Sequence, residues 1–161
     1  MDSATFLALA VACAPQVHPT TAEALVRVES GFNPHAIGVV GGSLERQPRN
    51  LGEAIATAAA LQAGGRNFSL GLAQINVKNL ERLGLSLQSA LDPCQNLAAM
   101  QVILAECLDR SGSAGPPQHA LRRALSCYYS GNFVTGFNSG YVSSVVAASR
   151  LSTAQLSRPP P

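Results

Sequence analysis

Leu25-Val26-Arg27-Val28-Glu29-Ser30-Gly31-Phe32-Asn33-Pro34 carries an amphipathic helix together with its stop signal. On a 3.6-residue period Ala22, Leu25, Val26 and Glu29 share one face, so an apolar stripe ends on a carboxyl. Gly31 supplies a left-handed stop and Pro34 prevents continuation. Upstream, His18-Pro19-Thr20 sets up the start, with Thr20 as N-cap and Glu23 completing a capping box. A carboxyl at the end of an apolar stripe is costly to bury as a charge, so its pKa should rise. The partial negative charge of a helix C-terminus pushes the same way. A carboxyl that keeps its proton near neutrality suits a general acid. The residue reads equally well as a surface Glu on the helix edge, paired with Arg27 or solvent.

The flanking sequence is predominantly helical by similar signals. At 161 residues the chain is long enough for one domain with a hydrophobic core. Apolar residues make up 47% and charged residues 12%, which excludes a disordered chain. The net charge of +2 gives no electrostatic case for nucleic acid, and 5% aromatic residues without Trp leave few base-stacking surfaces. Helices are expected over residues 4–13, 20–30, 51–63, 77–83, 93–110, 119–129 and 137–150. Asn50, with Glu53 at the reciprocal position, and Asp92-Pro93 mark two of the starts. Residues 36–48 read as a Gly-rich loop with at most a short hairpin around Gly41-Gly42, and 111–117 as another loop. The expected architecture is all-α or α-dominated α+β, one domain over 1–150 with about seven helices. Residues 151–161, ending Arg158-Pro159-Pro160-Pro161, read as a Pro-rich tail or linker.

No apolar run is long enough to span a bilayer; the nearest is Phe6 to Ala14. Ala12-Cys13-Ala14 imitates a signal-peptide cleavage site, but Asp2 stands where a basic region belongs and Pro15 follows at once. The expectation is the first helix of a mature domain whose signal is absent from this sequence. Cys13, Cys94, Cys107 and Cys127 contain no CxxC, which disfavours zinc and thioredoxin-type chemistry. His18, His35 and His119 are scattered, and no metal site is expected. An even cysteine count suits two disulfides in an oxidising compartment; buried free thiols are the alternative. Of three pairings, Cys107–Cys127, across a short loop between consecutive helices, is favoured, leaving Cys13–Cys94.

Two further segments bear chemistry. Ser69-Leu70-Gly71-Leu72-Ala73-Gln74-Ile75-Asn76 combines glycine, which permits close backbone approach, with amides that both donate and accept. Such amides suit a neutral ligand bearing hydroxyl and acetamido groups, or they satisfy the loop's own backbone. In Ala124-Leu125-Ser126-Cys127-Tyr128-Tyr129-Ser130-Gly131-Asn132 the Tyr128 phenol either donates into a site or lies at the surface.

Taken in order, E-S-x-F-N-P, S-x-G-L-x-Q-I-N and C-Y-Y-S-G-N resemble the three signature blocks of the lytic transglycosylases with a lysozyme-like fold. The usual forms are E-S-x-F/Y-N/D-P, S-x-G-L-M-Q-I/L and A-Y-N-x-G. The resemblance covers residues 4–148 and points to the VirB1-type group that accompanies type IV secretion systems. Supporting stretches are Ala14-Pro15-Gln16-Val17-His18-Pro19, Ala36-Ile37-Gly38-Val39, Gln47-Pro48-Arg49-Asn50-Leu51 and Glu53-Ala54-Ile55-Ala56-Thr57-Ala58.

The resemblance implies Glu29 as catalytic acid and base, with Ser69, Gln74 and Asn76 in the cleft. Tyr128 is expected to hydrogen-bond near Glu29 and help hold it. Ala73 replaces the usual Met, a loss of cleft-wall bulk. Tyr129 replaces the usual Asn, whose contact Asn132 is expected to supply in part. The implied reaction cleaves the β-1,4 bond between N-acetylmuramic acid and N-acetylglucosamine and forms a 1,6-anhydro ring. It needs one carboxyl, whereas ordinary glycosidases use two. Glu45, Glu53 and Asp92 are the weak candidates for a second. The helix over 51–63 is expected to flank the cleft, or else to pack on the back of the domain.

The expected setting is periplasmic and monomeric, with no cofactor, peptidoglycan glycan strands as partner and type IV secretion components beyond them. A hydrolytic muramidase of the same fold and a non-catalytic wall-binding assembly protein are the alternatives.

Overall fold

The computed structural model describes residues 1–112 and 115–156. Among them are eight α-helices: α1 (Ser3–Cys13), α2 (Pro19–Ser30), α3 (Leu51–Ala63), α4 (Leu87–Ala90), α5 (Pro93–Ser111), α6 (Pro117–Ser130), α7 (Thr135–Asn138) and α8 (Tyr141–Leu156). Three short strands, β1 (Ile37–Val39), β2 (Phe68–Leu70) and β3 (Ile75–Asn76), form an antiparallel sheet in that order. A 3-10 turn over Val77–Asn79 follows β3, where a longer helix over 77–83 is expected from the sequence. The architecture is α-dominated, as expected, with a small sheet.

Local chemistry explains most helix starts. The Asn50 side chain accepts from the Glu53 backbone N–H at 2.9 Å, and Asp92 accepts from Gln95 at 2.9 Å with Pro93 in the first turn. At α2 the structure corrects the reading: the cap is His18, whose ring nitrogen accepts from the Thr20 N–H, and no Thr20–Glu23 capping box forms. Proline's fixed φ is preorganised for the first helical position, so the cap falls on the residue before Pro19. Glu23 is instead buried, accepting from Ser3 Oγ at 2.7 Å and from Arg27 at 2.9 Å. Arg27 in turn lies over the Phe32 ring at 4.9 Å. This chain of contacts anchors α2 just before Glu29.

The expected hairpin at Gly41-Gly42 is absent. β1 pairs instead with β2, Ile37 opposite Leu70 and Val39 opposite Phe68. The amide-bearing stretch over 69–76 supplies the hairpin, with Ser69 opposite Asn76 and Leu70 opposite Ile75. The expected single last helix divides at Gly140, whose φ of +80° ends α7 before α8 begins. Helix α8 extends to Leu156, past the expected domain end at Arg150. Residues 157–161 of the expected tail lie outside the described residues, as do 113–114 of the expected 111–117 loop.

Phe6, Leu25, Val26, Phe68, Leu70, Leu72, Leu97 and Met100 are fully buried, so helices and sheet share one core. Helix α2 packs against α8, and α5 against α6. The expected disulfides are both present: Cys13–Cys94 ties α1 to α5, and Cys107–Cys127 ties α5 to α6. Among the described residues no helix is long and apolar enough to cross a membrane.

Asn96, fully buried on α5, is the polar hub behind the sheet. Its Nδ2 donates to the carbonyls of Leu70 at 2.9 Å and Ala90 at 2.7 Å, and its Oδ1 accepts from the Ala73 N–H at 2.8 Å. A buried amide with its capacity matched in this way fixes the β2–β3 turn in one position.

Candidate functional site

One end of α2, the sheet, the loop after β1 and the end of α6 enclose an open cleft of about 440 Å³. Glu29 lines it from the last turn of α2. That position follows from the sequence, because Gly31 adopts φ +58° and ends the helix immediately after it. Phe32 follows at φ +65°, a conformation costly for a non-glycine residue, and is held by packing edge-on against Phe6 at 5.2 Å.

Burial raises the Glu29 carboxyl from an ordinary 4.5 to about 7. A hydrogen bond from Tyr141, the first residue of α8, opposes the rise; its hydroxyl donates to Glu29 Oε1 at 2.5 Å. The Tyr141 phenol is buried and pushed far above its usual range, first by desolvation and then by the charge of Glu29. It therefore remains a donor at any physiological pH.

Tyr128, expected beside Glu29, makes a different bond. Its hydroxyl donates to the Ala73 carbonyl at 2.7 Å, bracing the β2–β3 turn against α6. Desolvation, then the Glu29 charge, raises its phenol as well. Sequence reasoning missed Tyr141, and the only local sign was the glycine before it. Tyr129 follows Tyr128 into the cleft wall, half-exposed, and its ring stacks on Tyr141 at 4.4 Å with 17° between planes.

The amide-bearing segment is partly occupied with its own backbone. Gln74 sits at φ +51°, and its Nε2 donates to the carbonyls of Ala36 at 3.1 Å and Gly71 at 3.0 Å. Its Oε1 lies against Gly38, where an added Cβ would come within 2.5 Å of it. Glycine at 38 thus lets the Gln74 amide lie across β1. Asn76 donates to Asn67 at 2.9 Å and to Ser69 at 3.3 Å, and accepts from the Lys78 N–H at 3.1 Å. Ser69, Gln74 and Asn76 all border the cleft. A further lining residue not singled out as a site residue is Gln47, which exchanges two hydrogen bonds with the backbone of Ile37 and prolongs the sheet edge.

One expectation is corrected and one open alternative is resolved. Asn132 does not border the cleft; its Oδ1 accepts from the N–H groups of Val134 and Thr135, so it organises the entry to α7. Helix α3 contributes no lining residue either. Of the two placements open for this helix, its buried Ala54 and Ala58 stripe fits packing against the body of the domain, and the loop after β1 forms the cleft wall. Ala73 is likewise fully buried behind the wall.

Among the described residues bordering the cleft, Glu29 is the only carboxyl. Asp92 caps α5, and Glu53 accepts from Arg46 at 2.7 Å and from the Arg49 N–H at 3.1 Å, which holds it below the usual carboxylate range. Glu45 borders a separate surface depression. The arrangement can give and take one proton at a site lined by amides, a hydroxyl and aromatic rings.

Residues 6–146 match the family described as "Transglycosylase SLT domain". The type IV secretion system protein virB1 of Brucella suis biovar 1 (strain 1330) is 52% identical over 155 residues, covering 92% of this chain and 65% of its own length. Protein virB1 of Agrobacterium fabrum (strain C58) is 35% identical over 152 residues, covering 93% of this chain and 61% of its own. The chain thus spans just under two thirds of the length of these relatives. No solved structure matches it. The matched span and the identity along it agree with the motifs and the cleft, and the chain belongs to the SLT-domain transglycosylases, in their VirB1-type group.

Proposed function

We propose that this domain is a peptidoglycan lytic transglycosylase in which Glu29 serves as acid and then as base. The observation that carries the reading is the cleft's single carboxyl, held by Tyr141 and raised to about 7. Near neutrality such a group is divided between acid and carboxylate, and both forms are needed in turn.

With Oε1 accepting from Tyr141, the carboxyl proton sits on Oε2. It passes to the glycosidic oxygen as the bond from muramic C1 breaks, and N-acetylglucosamine leaves with a free 4-hydroxyl. The acetamido oxygen of the substrate supports the positive charge developing at C1. The Glu29 carboxylate then takes the proton of the muramic C6 hydroxyl, whose oxygen closes on C1. The 1,6-anhydro ring forms, Glu29 regains its proton and no water is consumed. Ser69, Gln74 and Asn76 face the sugar's hydroxyl and acetamido groups. That no second carboxyl borders the cleft among the described residues favours this route over two-carboxylate hydrolysis.

The setting we infer is local wall opening for a type IV secretion apparatus in the periplasm. The names of the virB1 relatives and the two disulfides support it. Mass spectrometry of products from purified cell wall tests the chemistry. The expected products carry anhydromuramic ends, lighter by one water than reducing ends, and Glu29→Gln releases none while keeping its fold. Reducing ends, or turnover by Glu29→Gln, would overturn the assignment.

A further inference from the structure

We propose that Tyr129 is a stacking platform for a sugar ring, replacing with an aromatic face the amide that the third signature block usually presents. The inference rests on the glycan-cleaving reading above and adds a specificity-determining residue to it. Tyr129 borders the same cleft as Glu29, Ser69 and Gln74, and it is 49% exposed. One face of the ring is taken by Tyr141, at 4.4 Å and nearly parallel. The ring borders the cleft and is half-exposed, so its remaining face is the one a sugar would meet. A pyranose presents a row of axial C–H groups on one side, and these pack well on a flat, electron-rich ring. An exposed aromatic in a cleft lined by amides and a hydroxyl is the combination that buries the apolar side of a sugar while hydrogen-bonding its rim.

The support behind the ring is what makes it a platform rather than a loose side chain. Tyr141 is 7% exposed and is fixed by its bond to Glu29, so Tyr129 rests on a rigid base. Its neighbour Tyr128 fixes the same helical turn from the other side through Ala73. Immobilised aromatics lose little freedom when they bind. The usual Asn cannot offer such a face, and Asn132 does not replace it, because its amide serves the entry to α7. Sugar bound on Tyr129 lies beside the Tyr141–Glu29 pair, which places the reacting bond next to the acid.

The test uses Tyr129→Phe, Tyr129→Leu and Tyr129→Asn in the whole chain, with chitohexaose binding followed by NMR titration and turnover followed on purified wall. Tyr129→Phe keeps the flat face and should bind within about twofold of the parent. Tyr129→Leu still fills the space against Tyr141 but has no face, and should weaken binding about tenfold. Its KM should rise by a similar factor with kcat little changed, and Tyr129→Asn should behave like it. Leu binding as well as Phe, Phe failing as badly as Leu, or Asn binding more tightly than the parent would each overturn the proposal. A parent that cleaves wall glycan while the Leu variant matches it in KM defeats only this inference. A parent that neither binds chitohexaose nor cleaves wall defeats the reading beneath it and this inference with it.

Discussion

The Tyr141 hydroxyl donates to Glu29 Oε1 at 2.5 Å across 112 residues of sequence. The contact joins the last turn of α2 to the first residue of α8, two helices that pack closely along the domain. It holds one carboxyl oxygen and leaves the other to the substrate. Removing the donor in Tyr141→Phe should therefore have two effects. The bond favours the carboxylate form, so without it Glu29 should titrate above about 7, and the alkaline limb of kcat/KM should move to higher pH. The plateau should fall roughly tenfold to a hundredfold, because the acid loses its orientation. Rates measured on purified wall from about pH 5 to 9 decide it; a limb that moves to lower pH contradicts the role.

Glu29 also carries a stability cost that depends on pH. Its folded pKa is raised from 4.5 to about 7, so the folded protein holds more protons than the unfolded chain between these values. Stability must then fall as pH rises through that window. The loss is at most about 3 kcal/mol, reduced by the side chain's partial contact with water. Glu29→Gln has no such dependence. Its melting temperature should exceed the parent's at pH 8 by several degrees, and the gap should close near pH 4. Equal gaps at both pH values would argue that Glu29 is not desolvated.

Asn96 should be among the least replaceable polar residues of the core. Asn96→Ala removes three hydrogen bonds and strands two carbonyls and one N–H in the interior. A destabilisation of about 3 kcal/mol or more is expected, read as a lower urea midpoint. The turn carrying Gln74 should loosen as well, raising KM in the molecules that remain folded. A midpoint equal to the parent's would show that the turn is held by packing alone.

The two disulfides should contribute unequally. Cys107–Cys127 closes a separation of 20 residues and Cys13–Cys94 one of 81. Chain entropy assigns them about 3 and about 4.5 kcal/mol respectively. Cys13→Ala with Cys94→Ala should therefore lower the urea midpoint more than the other pair of replacements does. The reverse order would indicate that local packing between α5 and α6 outweighs chain entropy.

Features fixed by adjacent residues were legible in the sequence. Asp92-Pro93 and Asn50 start helices by chemistry within one turn, and Gly31 ends α2 where the apolar stripe ends. The same locality made Glu29 stand out. At Thr20 and Glu23 a local pattern misled, because Pro19 took the first helical position and Glu23 found Ser3 and Arg27 instead. Strands of two or three residues have too few positions to show a period, so the sheet leaves no pattern distinct from loop. Asn132 and Asn76 illustrate how side-chain amides near turns bond to adjacent backbone. Tyr141 was hidden because its partner is far away and the helical pattern after residue 137 continues across it.

The three signature blocks finish at Asn132, yet the clamp on the acid comes afterwards, beyond the break at Gly140. The working unit is therefore longer than its signature. A truncated copy ending at residue 139 would still display every block, but its acid would swing free and its groove would lose the backing for Tyr129. Pattern alone could not tell such a relic from a competent enzyme; the presence of the final helix could.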